Sequence, residues 1–262
     1  MTKHIPLKEA EATRPDFKQT HFIVSKTPNP DWKYKEGANQ LHNGADQKYK
    51  DIVPQEVDDK SKLYKLLIGA ITPRPIGFTS TVAADGTKNL APFSYFNVVN
   101  HDPPTIMISI SNKNKDTPKD TTRNIREKKG FTVNLISEWF VEAANACSVD
   151  APPNVSEWDI SGLTPKESVD VEAAWVAESA FSMECTLMHD YDIKKSSGDV
   201  ACTVILGEIK RFHVREDILK DDGGVDLDKL KPVSRLGGIS YGRSTESYEL
   251  ERPQWEKIKD TL

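Results

Sequence analysis

Ile76-Gly77-Phe78-Thr79-Ser80-Thr81-Val82 is a β-branched and aromatic run that stops at Ala84-Asp85-Gly86-Thr87. Side chains of this kind suit a pleated, half-buried surface, and Asp-Gly directly after a strand is a strong hairpin signal. The returning strand is expected over residues 89–97. Residues 105–111, Thr-Ile-Met-Ile-Ser-Ile-Ser, alternate polar and apolar with period two, as a half-buried strand does. Further outward, the pattern predicts a helix over 121–129, a strand over 131–136 and a helix over 141–147. A loop at Pro152-Pro153 follows, then strands over 181–189 and 200–214, a turn at 221–224 and an extended piece over 232–241. Many short strands at close spacing, few helices and no βαβ rhythm point to a mainly β protein with peripheral helices, built as an antiparallel barrel or sandwich.

The segments on either side of this body read differently. Residues 1–60 are rich in Lys, Asp, Asn, Gln and Pro, and their apolar groups, Phe22-Ile23-Val24 and Trp32, stand isolated between turn signals. Such a stretch cannot build a core of its own. Trp32 and Tyr34 suggest an extension wrapped over the body or over a dimer partner. The body runs over 61–250, and a C-terminal helix is expected within 251–262, starting near Pro253.

Composition narrows the function classes. Charged residues make up 29% of the chain, but the net charge is −5, which gives no reason to expect nucleic-acid or anionic-membrane binding. No apolar stretch approaches the roughly 20 residues a spanning helix needs. The first residues lack a secretory apolar core and carry acidic side chains early, against a mitochondrial transit peptide. Cys147, Cys185 and Cys202 are odd in number and widely spaced, which favours structural thiols in a reducing compartment. The cytoplasm is the expected address.

Familiar catalytic sets are missing. No GxGxxG follows a strand, and there is no GxxxxGK[ST] loop and no GxSxG elbow. The six histidines show no ligand-type clustering, so no metal site is expected. What stands out is hydroxyl and amide density beside strands: Thr79-Ser80-Thr81, Asn89, Ser94, Asn97, Ser109, Ser111 and Lys119-Asp120-Thr121-Thr122-Arg123-Asn124. Threonine belongs in strands, and Asp120 or Thr121 would serve as a helix cap. The same residues also suit a site of neutral donors beside a helix N-terminus, where an anion such as phosphate can bind. From the residues alone, both readings stand.

Order and spacing add to this. Arg74-Pro75-Ile76 leads into Thr79-Ser80-Thr81-Val82 and Asp85-Gly86, then into Asn89-Leu90-Ala91-Pro92-Phe93-Ser94-Tyr95-Phe96-Asn97. Asp102-Pro103-Pro104, Lys119 to Ile125, Phe131-Thr132-Val133-Asn134, Trp158 to Thr164, Met183-Glu184-Cys185, Leu206-Gly207-Glu208 and Arg235-Leu236-Gly237-Gly238 with Tyr241 follow in turn. This succession, spanning residues 63–245, resembles the flavin reductase-like family of FMN-binding split β-barrels with Greek-key antiparallel strands. The resemblance implies an oxidoreductase that holds FMN at the interface of a homodimer and takes hydride from NAD(P)H. It implies that Thr79, Ser80, Thr81 and Val82 lie along the isoalloxazine ring, with Ala91, Pro92, Phe93, Ser94 and Phe96 as the adjoining wall. Ser109, Ser111, Lys119, Asp120, Thr121 and Asn124 would hold the ribityl and phosphate end. Arg74 would reach the phosphate or pair with a structural carboxylate.

One departure bears on the electron donor. NADH-using members often carry a histidine five residues before the glycine matched here by Gly207, and this chain has Cys202 there. His189 is a substitute by position. The resemblance also leaves a second reading, a non-catalytic flavin-binding or electron-carrier protein. A pyridoxamine-phosphate oxidase-like protein fits the motif order poorly.

Overall fold

The computed structural model describes residues 6–38, 48–112 and 117–259. Its centre is one seven-stranded sheet of β1 (Gly77–Val82), β2 (Lys88–Phe93), β3 (Phe96–His101), β4 (Pro104–Ser111), β5 (Gly130–Asn134), β6 (Phe181–Lys194) and β7 (Val200–Val214). Their order across the sheet is β2-β1-β5-β6-β7-β4-β3, and each neighbouring pair is antiparallel. The β1–β2 hairpin turns where Asp-Gly sits: Gly86 has φ +89, and Thr87 N donates to Asp85 Oδ1.

The strand expected over 89–97 is two strands. Lys88–Phe93 and Phe96–His101 are joined only by Ser94-Tyr95, yet they form opposite edges of the sheet. Two residues can span little more than about 7 Å, so the sheet must roll until its edges meet. Ser109 N donates to Tyr95 O at 2.8 Å at that point. No ladder joins β2 to β3, and the result is a barrel left split along one seam.

Three apolar clusters fill the described residues, the smallest of them Ala180, Ile218 and Leu230. Phe78, Leu90, Phe140, Trp158 and Val176 lie beneath α3 (Val141–Ala146) and α4 (Glu157–Ser161), which follow α1 (Lys60–Ala70) and α2 (Asp120–Lys128) in the chain. Ile108, Ile110, Ile125, Phe131, Val133 and Ile205 form the barrel interior. Gly207 is required there, because a Cβ at this position would lie 2.5 Å from the tip of the buried Phe131 ring. β6 reaches five residues past its expected end, because the full length of β7 pairs with it through three register shifts.

Trp32 and Tyr34 are partly exposed, at 44% and 37%. They meet edge to face at 5.5 Å, and Trp32 Nε1 donates to Gly37 O within its own segment. The contacts with the body come from residues 17–25. Phe22 N donates to Asp228 Oδ1 at 2.8 Å, Ile23–Ser25 pairs in parallel with Glu246–Tyr248, and Arg243 lies 4.4 Å from the Phe17 ring. At the other end, Trp255–Ile258 forms one helical turn, and residues 260–262 lie outside the described residues. Among the described residues no helix is long and apolar enough to cross a membrane, and no group of three or more His, Cys, Asp or Glu could hold a metal ion.

Candidate functional site

The seam opens into a cleft of about 290 Å³. Its floor is β2, an edge strand with one free side. Pro92 tolerates that position: Leu90 N already points away from β1, to Glu157 Oε2 at 3.1 Å, and two residues on the proline nitrogen faces the same open side. Ala91, Phe93 and Ser94 continue this wall, and Ser109 and Ser111 approach from β4 across the seam.

One end of the cleft is the N-terminus of α2, with Lys119, Asp120 and Thr121 on its lining. Neither Asp120 nor Thr121 is the cap. Lys119 is the N-cap residue, with extended dihedrals, and no side chain caps the helix. Asp120 forms an ion pair with Arg123 at 2.7 Å. Asn89 Nδ2 donates to Thr121 Oγ1 at 3.0 Å and to Thr81 Oγ1 at 3.2 Å, and Asn124 Nδ2 donates to Thr81 Oγ1 at 3.0 Å. With its oxygen accepting from Asn89, Thr121 retains its own proton for an acceptor in the cleft.

Arg74 braces the opposite wall. It is 7% exposed, and among the described residues its guanidinium pairs with no carboxylate. Nη1 donates to the carbonyls of Ile68 and Ile71 at the end of α1, Nη2 to Leu236 O, and Nε to Ser94 Oγ at 3.4 Å. A cation at the C-terminus of a helix also meets the negative end of its dipole. Close approach of backbones makes this possible: a Cβ on Gly237 would lie 3.3 Å from Gly69 Cα. The brace brings Tyr64 and Ile68 of α1, and Arg235, to the rim.

The structure thus gathers Arg74, Ala91, Pro92, Phe93, Ser94, Ser109, Ser111, Lys119, Asp120 and Thr121 around one cleft. It does not bring Thr79, Ser80, Thr81, Val82, Phe96 or Asn124 to the lining. β1 is an inner strand, and Thr79 and Ser80 are paired on both sides, with β2 and β5. The Phe96 ring packs 2.9 Å from where a Gly77 Cβ would stand. Thr81 and Asn124 stand behind the wall, where they position Asn89. Val82 lines a separate hollow beside Lys128 and Glu172.

Residues far away in sequence complete the site. Glu157, 7% exposed, puts a carboxylate in the wall. Cys147 lines it too, and burial, reinforced by the Glu157 charge, pushes its thiol up to about 11. That favours the protonated thiol at neutral pH. Burial likewise raises Tyr95, a neutral phenol at the seam. Arg235 carried a sequence signal, standing in the last of the ordered motifs. Glu157 and Cys147 carried none, because only the packing of α3 and α4 against β2 brings them in. Cys202 pairs with Ser111 across the β4–β7 ladder, while His189 lies opposite Leu206 and away from the cleft. Among the described residues the cleft holds hydroxyls, a helix N-terminus, the cations of Arg74, Lys119 and Arg235, and the carboxylates of Asp120, Asp150 and Glu157. A site of this composition suits the binding and orienting of a group that carries its own chemistry.

Comparison with known proteins agrees. The family model described as flavin reductase like domain matches residues 69–228. An uncharacterized protein of Halalkalibacterium halodurans is 42% identical over 190 residues, 72% of this chain and 90% of that one. The crystal structure of nitrilotriacetate monooxygenase component B from Bacillus cereus is 38% identical, with a TM-score of 0.75 over 78% of this chain and 100% of that one. The 2-nitrobenzoate 2-nitroreductase of Pseudomonas fluorescens is 28% identical, with a TM-score of 0.69 over 79% of this chain and 98% of that one. A seam-split antiparallel barrel and a family match over most of the body lead to one conclusion: the chain belongs to the flavin reductase-like family, whose chemistry is flavin-dependent oxidoreduction.

Proposed function

We propose that this chain binds FMN in the seam cleft as a cytoplasmic homodimer, accepts hydride from NAD(P)H and hands the electrons to a further acceptor. The observation that carries the reading is the polarity of the α2 end of the cleft. An uncapped helix N-terminus, the Lys119 ammonium and the Thr121 hydroxyl polarised by Asn89 suit a terminal phosphate, which offers only acceptors and about two negative charges. Ser94, Ser109 and Ser111 supply neutral donors along the middle, where a ribityl chain and a heteroaromatic edge present hydroxyls, carbonyls and ring nitrogens. With no dinucleotide fingerprint in the chain, a mononucleotide is the better fit than FAD.

The size of the cleft supports the dimer. About 290 Å³ sits at the lower edge of the roughly 300–1,000 Å³ of cofactor sites, and the mouth is open, so a second copy would complete the enclosure. When bound, the flavin supplies the hydride and electron chemistry. The chain's own residues do the rest. β2 and the seam hydroxyls orient the ring, Thr121 and Lys119 anchor its tail, and the barrel wall excludes water from one face.

Two measurements test this. Cofactor released by heat and separated by liquid chromatography should be FMN. Anaerobic mixing of the yellow protein with NADH and with NADPH should bleach the flavin. A colourless protein that takes up no added FMN refutes the binding. A yellow protein bleached by neither nucleotide refutes the donor.

A further inference from the structure

The cleft has a second lobe that shares Ser94 with the flavin reading but whose far side that reading leaves unused. Some 190 Å³ opens beyond the shared wall of Pro92, Ser94, Ser148 and Arg235, bounded on its far side by Asn145 and Tyr241. Its polar groups are set by their existing bonds. Tyr241 Oη donates to Asn145 Oδ1 at 2.8 Å, so the amide acceptor of Asn145 is occupied and its two N–H bonds remain. Ser94 Oγ accepts from Arg74 Nε, which leaves the Ser94 proton to donate. Arg235 is held by the Gly238 and Ile239 carbonyls and lies 4.6 Å from the Tyr241 ring, and three of its five N–H bonds remain uncommitted. No carboxylate lines the lobe among the described residues. The result is one fixed cation with surplus donors, at the opposite end of β2 from the α2 terminus.

We infer that this lobe is an oxyanion subsite for the second substrate of the flavin site, with Arg235 and Asn145 holding a phosphate or carboxylate group. The inference rests on the flavin reading, which assigns the α2 end of the cleft to the cofactor. It places the charged part of the co-substrate at the Arg235 end, so that its reactive part lies over the strand between. Two sources supply such an anion: the diphosphate of a reduced nicotinamide dinucleotide and the carboxylate of an acceptor acid.

Calorimetric titration of the FMN-loaded protein with inorganic pyrophosphate and, separately, with benzoate tests the subsite and distinguishes the sources. At least one of them should bind. Arg235→Gln, at the rim that the lobe shares with the flavin cleft, should weaken that probe by about tenfold or more. Because Arg235 also braces its own turn, Asn145→Asp serves as a second variant. The new carboxylate still accepts from Tyr241 but repels an anion, so probe binding should be lost with the melting temperature unchanged. The inference is overturned if neither probe binds the wild type, if both variants bind the probe as the wild type does, or if Arg235→Gln loses FMN in proportion, which would make the lobe part of the flavin's own site. The same titration on protein without flavin separates the two readings. Arg235-dependent probe binding in a protein that takes no FMN would sink the cofactor assignment and leave the oxyanion subsite standing.

Discussion

Thr121 has a hydrogen-bond polarity that a hydroxyl does not possess by itself. Asn89 donates to its oxygen, and Asn89 is fixed through Thr81, which Asn124 also holds. Thr121→Ala and Lys119→Ala should each weaken FMN by roughly tenfold, as the loss of a charge-assisted hydrogen bond does. Their affinity for riboflavin, which lacks the phosphate, should hardly change. Fluorescence titration with both ligands checks this, and equal losses would mean a collapsed site instead of a lost phosphate contact. Outside the cleft, Glu184 makes a pH-dependent contribution. Its side chain is fully buried, which favours the protonated form, but the Val169 and Asp170 amides and His213 outweigh burial and hold its carboxyl below the usual glutamate value. A lowered native pKa means that the unfolded chain takes up the proton first. The contribution is complete above the ordinary glutamate pKa of about 4.3 and is lost as pH falls through the native value. Glu184→Gln should therefore be less stable at neutral pH and show a flatter fall below about pH 5, read from urea midpoints between pH 3 and 6. At this scale the sequence showed which residue types the site uses, but not which side of a wall they occupy. Thr79-Ser80-Thr81 and Ser94 look alike as strings, and only strand order makes the first group interior and the second a lining residue.

Among the elements, the one misread strand is the informative one. Residues 89–101 carry no proline-glycine break, and strand propensity runs through Ser94-Tyr95, so nothing local reveals that the chain leaves one edge of the sheet and joins the other. The rolling of the sheet towards its split seam decides that, and it is a property of seven strands together. The β1–β2 hairpin and α2 were legible because Asp-Gly and a polar, helix-forming run determine them locally. How the N-terminal extension attaches was not legible. Trp32 and Tyr34 drew attention, yet the main-chain amide of Phe22 makes the contact, through Asp228. That carboxyl is pulled down to about 2, chiefly by His21, then by the Phe22 amide and Lys231. Asp228→Ala should release residues 17–25 from the body while leaving the barrel intact. Limited trypsin digestion would then cut at Lys18 or Lys26 many times faster than in the wild type, with the melting temperature of the barrel little changed. Cleavage rates equal to the wild type would show that the strand pairing with Glu246–Tyr248 suffices by itself.

For the whole molecule, the open mouth of the cleft makes assembly a functional matter. Light scattering during gel filtration should give about twice 29.3 kDa at micromolar concentration, and dilution to monomer should release FMN. A monomer that retains the cofactor would show that the cleft closes within one chain. Fold class was legible at this scale because strand spacing and motif order act along the entire body. The cleft was legible only in part, because α1, α3, α4 and the hairpin at Arg235 converge on it from positions up to about 170 residues apart. The Arg74 brace has a consequence for how such a protein can change over time. One guanidinium grips the end of α1, the Leu236 turn and the seam serine through three separate nitrogens. A lysine offers a single nitrogen on a flexible stem and cannot reach all three places at once. Descendants of this sequence are therefore free to drift at each of those segments only within the reach of one shared arginine, and a lineage that lost it would have to rebuild all three together.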